Sequence, residues 1–207
     1  ECVSSIIYIT QQKPAVGKLT LCAAGVNFFM SALMIIGLPV IVMQELDFSP
    51  AEASRMYGYM QAVLGAGGLA GGIGAGLLGQ KLSMDRSYRF LMFAGGMLIP
   101  MGLVLLLPCP PYAVYGVLAL SALLIMASAS IYSIQIMAHI QVTVPSHLTG
   151  KVIAWVLALS NCAQPAGQII YGMLFENMRG MMAWIFFGTA AVSVLIGWYN
   201  RDAVAYT

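Results

Sequence analysis

Three groupings in the sequence have residue types and spacing that could do chemistry. The stretch VLGAGGLAGGIGAGLLG (63–79) places eight glycines in seventeen positions. Its Gly65-Ala66-Gly67-Gly68-Leu69-Ala70 fits the Gly-x-Gly-x-x-(Gly/Ala) pattern that cradles a dinucleotide pyrophosphate. Asp85, twenty positions after Gly65, stands where such a fold puts its ribose-binding acid. Ser128 and His139 are a nucleophile and a base on one apolar stretch. Cys2, Cys22, Cys109 and Cys162 are thiols that could hold a metal or pair as disulfides.

Spacing and surroundings argue against all three. A dinucleotide site needs a strand before the glycines and a solvated helix N-terminus after them. These glycines lie inside a run without a charge from 56 to 79, where no phosphate could arrive without crossing apolar surroundings. Ser128 and His139 are eleven residues apart, roughly 16 Å at 1.5 Å per helical residue, beyond hydrogen-bond reach. No aspartate pair is embedded in an apolar run, so an enzyme is not expected. The cysteines are far apart with no Cys-x-x-Cys pair and read as small apolar residues, so neither metal nor cofactor is expected.

The elements that carry these residues follow from composition. The 207 residues are 60% hydrophobic and 8% charged, with mean hydropathy +0.88. A soluble domain carries about 25% charged residues, and so few charges could not cover a water-facing surface. Lipid is the expected solvent. A net charge of +2, with no basic patch interleaved with aromatics, excludes nucleic acid as a partner.

A bilayer core about 30 Å thick takes roughly 20 apolar residues as a helix. Six uncharged runs come near that length: 19–43, 56–79, 90–107, 112–138, 152–175 and 181–199. Pro108-Cys109-Pro110-Pro111 separates the third from the fourth, because consecutive prolines lack the amides a helix needs. Ser49-Pro50-Ala51-Glu52 combines an N-cap serine, a first-turn proline and a capping-box glutamate, so the second helix should start near Pro50. The expected fold class is an all-α membrane protein with six transmembrane helices. Residues 1–17 would be a cytoplasmic lead-in, with 4–12 along the inner interface, and 18–207 the bundle.

Lys13, Lys18, Lys81, Arg86, Arg89, Lys151 and Arg201 fall on one side of such a bundle, Arg55 and Arg179 on the other. Seven against two places both ends in the cytoplasm of a cell whose inner membrane the chain crosses. The glycines then have a packing role. At 100° per residue, Tyr57, Gln61, Gly68, Gly72, Ala75 and Gly79 share a face, and the small-xxx-small pair Gly68/Gly72 lets a second helix approach closely.

Polar residues are unevenly shared. The third run has none and the sixth only Thr189 and Ser193, whereas the first, second, fourth and fifth carry Asn27, Ser31, Gln61, Ser121, Ser128, Tyr132, Gln135, Asn161, Gln164, Gln168 and Tyr171. Amides turned to lipid are costly, so these should face protein or a wet cavity. Ser121, Ser128, Tyr132, Gln135 and His139 fall on one face at helical spacing. They are either a cavity wall or an interhelical hydrogen-bonding seam. The order wet-wet-dry, wet-wet-dry suggests two units of three helices. A shift of 93 positions matches Val63 with Val156, Leu64 with Leu157, Ala70 with Ala163, Gly74 with Gly167 and Gly79 with Gly172. A tandem repeat of three helices must insert upside down, a recurrent building plan of secondary transporters.

VPSHLTGKVIAWVLALSNCAQPAGQIIYG (144–172) resembles the link between the tenth and eleventh helices of major facilitator superfamily exporters of the macrolide-efflux type. The matching elements are Val144-Pro145, Gly150-Lys151-Val152, Ser160, Pro165, Gly167 and Gly172. GLPVIV (37–42) and YGYMQAVLGAGGLAGG (57–72) are similar to that family's seventh and eighth helices. The loop motif Gly-x-x-x-Asp-Arg-x-Gly-Arg departs: on Gly76, Gln80, Lys81, Ser83 and Met84, Gln80 replaces the acid and Ser83 the glycine. Asp85, Arg86 and Arg89 stand nearby at a different spacing.

The resemblance implies the C-terminal six-helix half of a transporter that exports amphipathic small molecules by alternating access, partnered by an N-terminal half. It implies Asn27, Ser31, Ser128, Tyr132 and Gln135 as substrate contacts, joined by Asn161, Gln164 and Gln168 at the cavity edge. Gly68 and Gly72 would meet the other half, and Pro39, Pro100 and Pro165 would kink their helices. No charged residue lies mid-run, so a proton-coupling carboxylate would belong to the N-terminal half. The alternative expectation is a complete six-helix subunit that captures substrate for a multi-component importer.

Overall fold

The computed structural model describes residues 14–78, 87–178 and 180–204. The interfacial segment 4–12, Lys13, Gly79, the loop bearing Gln80, Lys81, Ser83, Met84, Asp85 and Arg86, and Arg179 lie outside the described residues. Among those described there is no strand, and the helices form six rods.

Rod 1 is continuous but uneven: α1 (Pro14–Val26), a π turn (Asn27–Ser31), α2 (Ala32–Val40) and a second π turn (Ile41–Glu45). In the first π turn the Ala32 amide reaches back five residues to the Asn27 carbonyl. The second closes with a 3.0 Å bond from the Leu46 amide to the Ile41 carbonyl, one turn after Pro39, whose ring leaves no amide to donate. Rod 2 is α3 (Pro50–Leu78), starting at the proline that the N-terminal signal pointed to; the Ala53 amide bonds the Ser49 carbonyl at 2.8 Å. Rod 3 breaks at Met97 into α4 (Ser87–Gly96) and α5 (Leu98–Leu106), one turn before Pro100. Rod 4 is α6 (Pro111–Thr143), entered from an extended Pro110. Rod 5 is α7 (Ser146–Asn177), with Pro165 inside it, and rod 6 is α8 (Met182–Val204). Gly180 joins them with φ +84, a conformation other residues rarely adopt.

Among the described residues, five helices are long and apolar enough to cross a bilayer: Val16–Glu45, Pro50–Leu77, Ser87–Leu106, Pro111–Thr143 and Met182–Arg201. Helix α7 has the length, at 32 residues, but Asn161, Gln164, Pro165 and Gln168 dilute its apolar content and it does not join them. The outside of the rods carries large exposed apolar residues. On α3, Leu69, Ile73 and Leu77 form such a ridge at four-residue spacing. Contiguous apolar surface on this scale marks a membrane or protein contact, not a water-facing side.

Packing is pairwise. Helix α3 lies against α6 along most of its length, and α7 lies against rod 1. Rods 3 and 6 pack on each other, and both reach the central rods. The tightest approaches are at glycines. A Cβ on Gly67 would stand 2.5 Å from the Leu123 carbonyl oxygen, and one on Gly71 would overlap the Ala127 carbonyl. On the second pair, a Cβ on Gly167 would overlap the Phe28 carbonyl. Without side chains, these positions let backbone meet backbone, where dispersion and Cα–H···O contacts replace the hydrophobic drive that lipid does not supply.

The packing pair on α3 is therefore Gly67/Gly71, not the Gly68/Gly72 pair picked out by spacing. Gly68 has only the Ser130 hydroxyl at 3.7 Å and Gly72 has open space. The glycine run does form one helix pressed by another. Its contacts lie one position earlier, about 100° round the helix.

Candidate functional site

Two adjoining cavities lie among rods 1, 2, 4 and 5. One, of about 240 Å³, is bounded by Ala23, Val26, Asn27 and Ser31 on rod 1, by α6 from Met126 to Met137, and by Val156 and Ser160 on α7. The other, of about 520 Å³, is bounded by Met30, Met34 and Ile35 on rod 1, Tyr57, Gln61, Leu64, Gly65 and Gly68 on α3, Ile125 on α6, and Gln164 on α7. Val26, Ser31, Met126 and Ala129 border both. Neither wall contains a charged residue. The smaller chamber has most of the hydroxyls and the Asn27 amide; the larger has three methionines and Tyr57, with the Gln61 and Gln164 amides on different rods. Such an enclosure, mostly apolar with a few neutral hydrogen-bonding groups, is suited to a small amphipathic molecule.

The sequence-derived site residues divide. Asn27, Ser31 and Tyr132 line the smaller chamber, and Ser31 and Gln164 the larger. Asn27 spends a donor on the Ala23 carbonyl at 3.2 Å, one turn back, and keeps its carbonyl oxygen for other partners. Tyr132 is 3% exposed and its hydroxyl has no protein partner. Ser128, Gln135, Asn161 and Gln168 line neither chamber. Ser128 is buried and donates to the Leu124 carbonyl at 2.8 Å. Gln135 has both amide atoms buried without a protein partner, and Asn161 is exposed on the outer side of α7. Gly68 borders the larger chamber; Gly72 does not.

The α6 stripe accounts for much of this division. Ser121, Ser128, Tyr132 and Gln135 do share a side, but the cavity wall is built by Met126, Ala129, Ser130, Ser133 and Met137. The two sides are about two fifths of a turn apart at helical spacing, and Tyr132 sits on the edge between them. The stripe faces into the bundle, as an interhelical seam would, leaving the flank with smaller and softer side chains to the cavity. Sequence reasoning missed Ser130, Ser133, Met126 and Ala129. The signal for them is the i, i+3, i+4, i+7 run of small or flexible residues from 126 to 133.

Tyr171 also turns elsewhere. It is buried and its hydroxyl lies 2.7 Å from that of Thr189, tying α7 to α8. Just outside the runs 90–107 and 181–199, rods 3 and 6 carry fully buried Ser87 and Asn200, neither with a protein partner. At the opposite ends of rods 2 and 4, the Tyr112 hydroxyl donates to Glu52 and the Tyr115 hydroxyl to the Met56 carbonyl at 2.9 Å. These pins, with Gly67 and Gly71, make α3 and α6 a single packed unit on one side of the cavity. Among the described residues, no cluster of His, Cys, Asp or Glu could hold a metal ion. Comparison with protein-family models, with curated proteins and with solved structures finds no match to this chain.

Proposed function

We infer that this chain is the six-helix half of a membrane transporter that moves neutral, amphipathic small molecules through the chambers between rods 1, 2, 4 and 5. The observation that carries this reading is the pair of adjoining uncharged cavities, the larger bordered by three methionines and the smaller by Tyr132, whose buried hydroxyl has no protein partner. A buried hydroxyl without a protein partner is costly, and a cargo's hydroxyl, amide or carbonyl would relieve that cost.

The packing supports two inverted three-helix repeats. Exchanging the first three rods for the last three turns the α3-on-α6 contact into the α7-on-rod 1 contact, and both are made through glycine against a backbone carbonyl. This relation favours α7 as a sixth span, despite its amides. The resemblance to major facilitator exporters adds that rods 2 and 5 would face an N-terminal half. Gly72, with open space beside it, Gly68, with only the Ser130 hydroxyl nearby, and exposed Asn161 suit such a contact. Both chain ends would be cytoplasmic, by the excess of Lys and Arg on that side.

The test is efflux of a neutral aromatic dye from cells that express the full-length protein. Tyr132→Phe deletes only the unpaired hydroxyl, so abundance and thermal stability should hold while efflux falls about tenfold, equivalent to roughly 1.4 kcal/mol. Unchanged efflux would remove Tyr132 from the cargo's path.

A further inference from the structure

Rod 1 meets the cavity on both sides of a π turn. Ala23 and Val26 line it before the turn, Asn27 and Ser31 within it, and Met34 and Ile35 after it. A π turn holds one residue more than the α-helical turn it replaces. The helix beyond it is therefore rotated, relative to the helix before it, by about one residue's twist, roughly 100°. That rotation brings Ser31 and Ile35 round to the wall occupied by Ala23 and Asn27.

The contact that seats the turn comes from the facing helix. Gly167 of α7 is buried, and a Cβ there would overlap the carbonyl of Phe28, in the middle of the π turn, and stand 2.8 Å from the Cβ of Ala32, the residue that closes it. The α3–α6 pair has two glycines one turn apart facing an unbroken α-helix. Here the residue one turn before Gly167 is Ala163 and the residue one turn after is Tyr171, so the approach is confined to one point. A side chain at that point would push the Phe28 carbonyl back toward the helix axis.

We propose that Gly167 is a positioning residue: its bare Cα admits the Phe28 carbonyl and so holds the π turn that presents Asn27 and Ser31 to the cavity. The inference rests on the cavity being open to small molecules, which the same experiment checks separately.

The experiment measures labelling by a small water-soluble maleimide, in membranes holding the full-length protein with its native cysteines replaced by alanine. Asn27→Cys should react in this parent; if it does not, the cavity reading itself fails. Adding Gly167→Ala should slow labelling of Asn27→Cys at least fivefold, and of Ser31→Cys likewise. Ser133→Cys, on the opposite wall, should react as before. Gly67→Ala, which places the same methyl against a carbonyl in the other helix pair, should leave Asn27→Cys unaffected. Ala32→Gly should not restore the rate, because it relieves the Cβ contact but not the carbonyl overlap. Unchanged Asn27→Cys labelling on adding Gly167→Ala, its restoration by Ala32→Gly, or a parallel loss at Ser133→Cys would overturn the proposal.

Discussion

The Tyr171 hydroxyl lies 2.7 Å from the Thr189 hydroxyl, which in turn donates to the Ile185 carbonyl at 2.8 Å. A threonine hydroxyl has one proton, and Ile185 receives it, so Tyr171 is the donor to Thr189. The two removals are therefore unequal. Tyr171→Phe leaves Thr189 satisfied and should cost about 0.6 kcal/mol, a usual value for a hydrogen bond between membrane helices. Thr189→Val strands a buried tyrosine hydroxyl and should cost about 1–3 kcal/mol. Thermal unfolding of the two variants in detergent checks the order; equal losses would mean that Tyr171 finds another acceptor.

Adjacent glycines on α3 should respond differently to one methyl. Gly71→Ala drives a Cβ into the Ala127 carbonyl and to 2.7 Å from the Ser130 Cβ, so α3 and α6 must separate. Gly72→Ala meets nothing within 4 Å. Folded yield in membranes should fall with the first and hold with the second. The reverse result would place the α3–α6 contact on the wrong face.

Asn200 is fully buried, and neither its amide nitrogen nor its amide oxygen has a protein partner. Replacing such a group with an apolar side chain of similar size removes a desolvation cost and no protein hydrogen bond. Asn200→Leu should therefore raise thermal stability, by an amount on the order of 1 kcal/mol. A fall in the melting temperature would show that the amide is held by a partner.

Much of the architecture was readable because lipid simplifies the code. Long uncharged runs, the prolines from 108 to 111 and the Ser49-Pro50 start each correspond to a rod or a boundary. The limit appears at α7, where Asn161, Gln164 and Gln168 lower the hydropathy that identifies a span. At the site, Asn27, Ser31, Tyr132 and Gln164 could be read from residue type. Which flank of α6 lines the cavity could not, because a polar stripe serves an interhelical seam as well as a cavity wall. The shift from Gly68/Gly72 to Gly67/Gly71 has the same origin: in a run of glycines several faces are equally small, and the partner helix chooses among them. The π turn at Asn27–Ser31, which packs against Gly167, could not be read from the sequence.

Cargo passage through the chambers between rods 1, 2, 4 and 5 is the central claim, and filling them tests it most directly. Ala129 borders both chambers, so Ala129→Trp places an indole where the two meet. The measurement is the dye efflux rate from cells expressing this variant and its parent at matched membrane abundance. The account predicts that efflux falls to background. Efflux at the parental rate would contradict it.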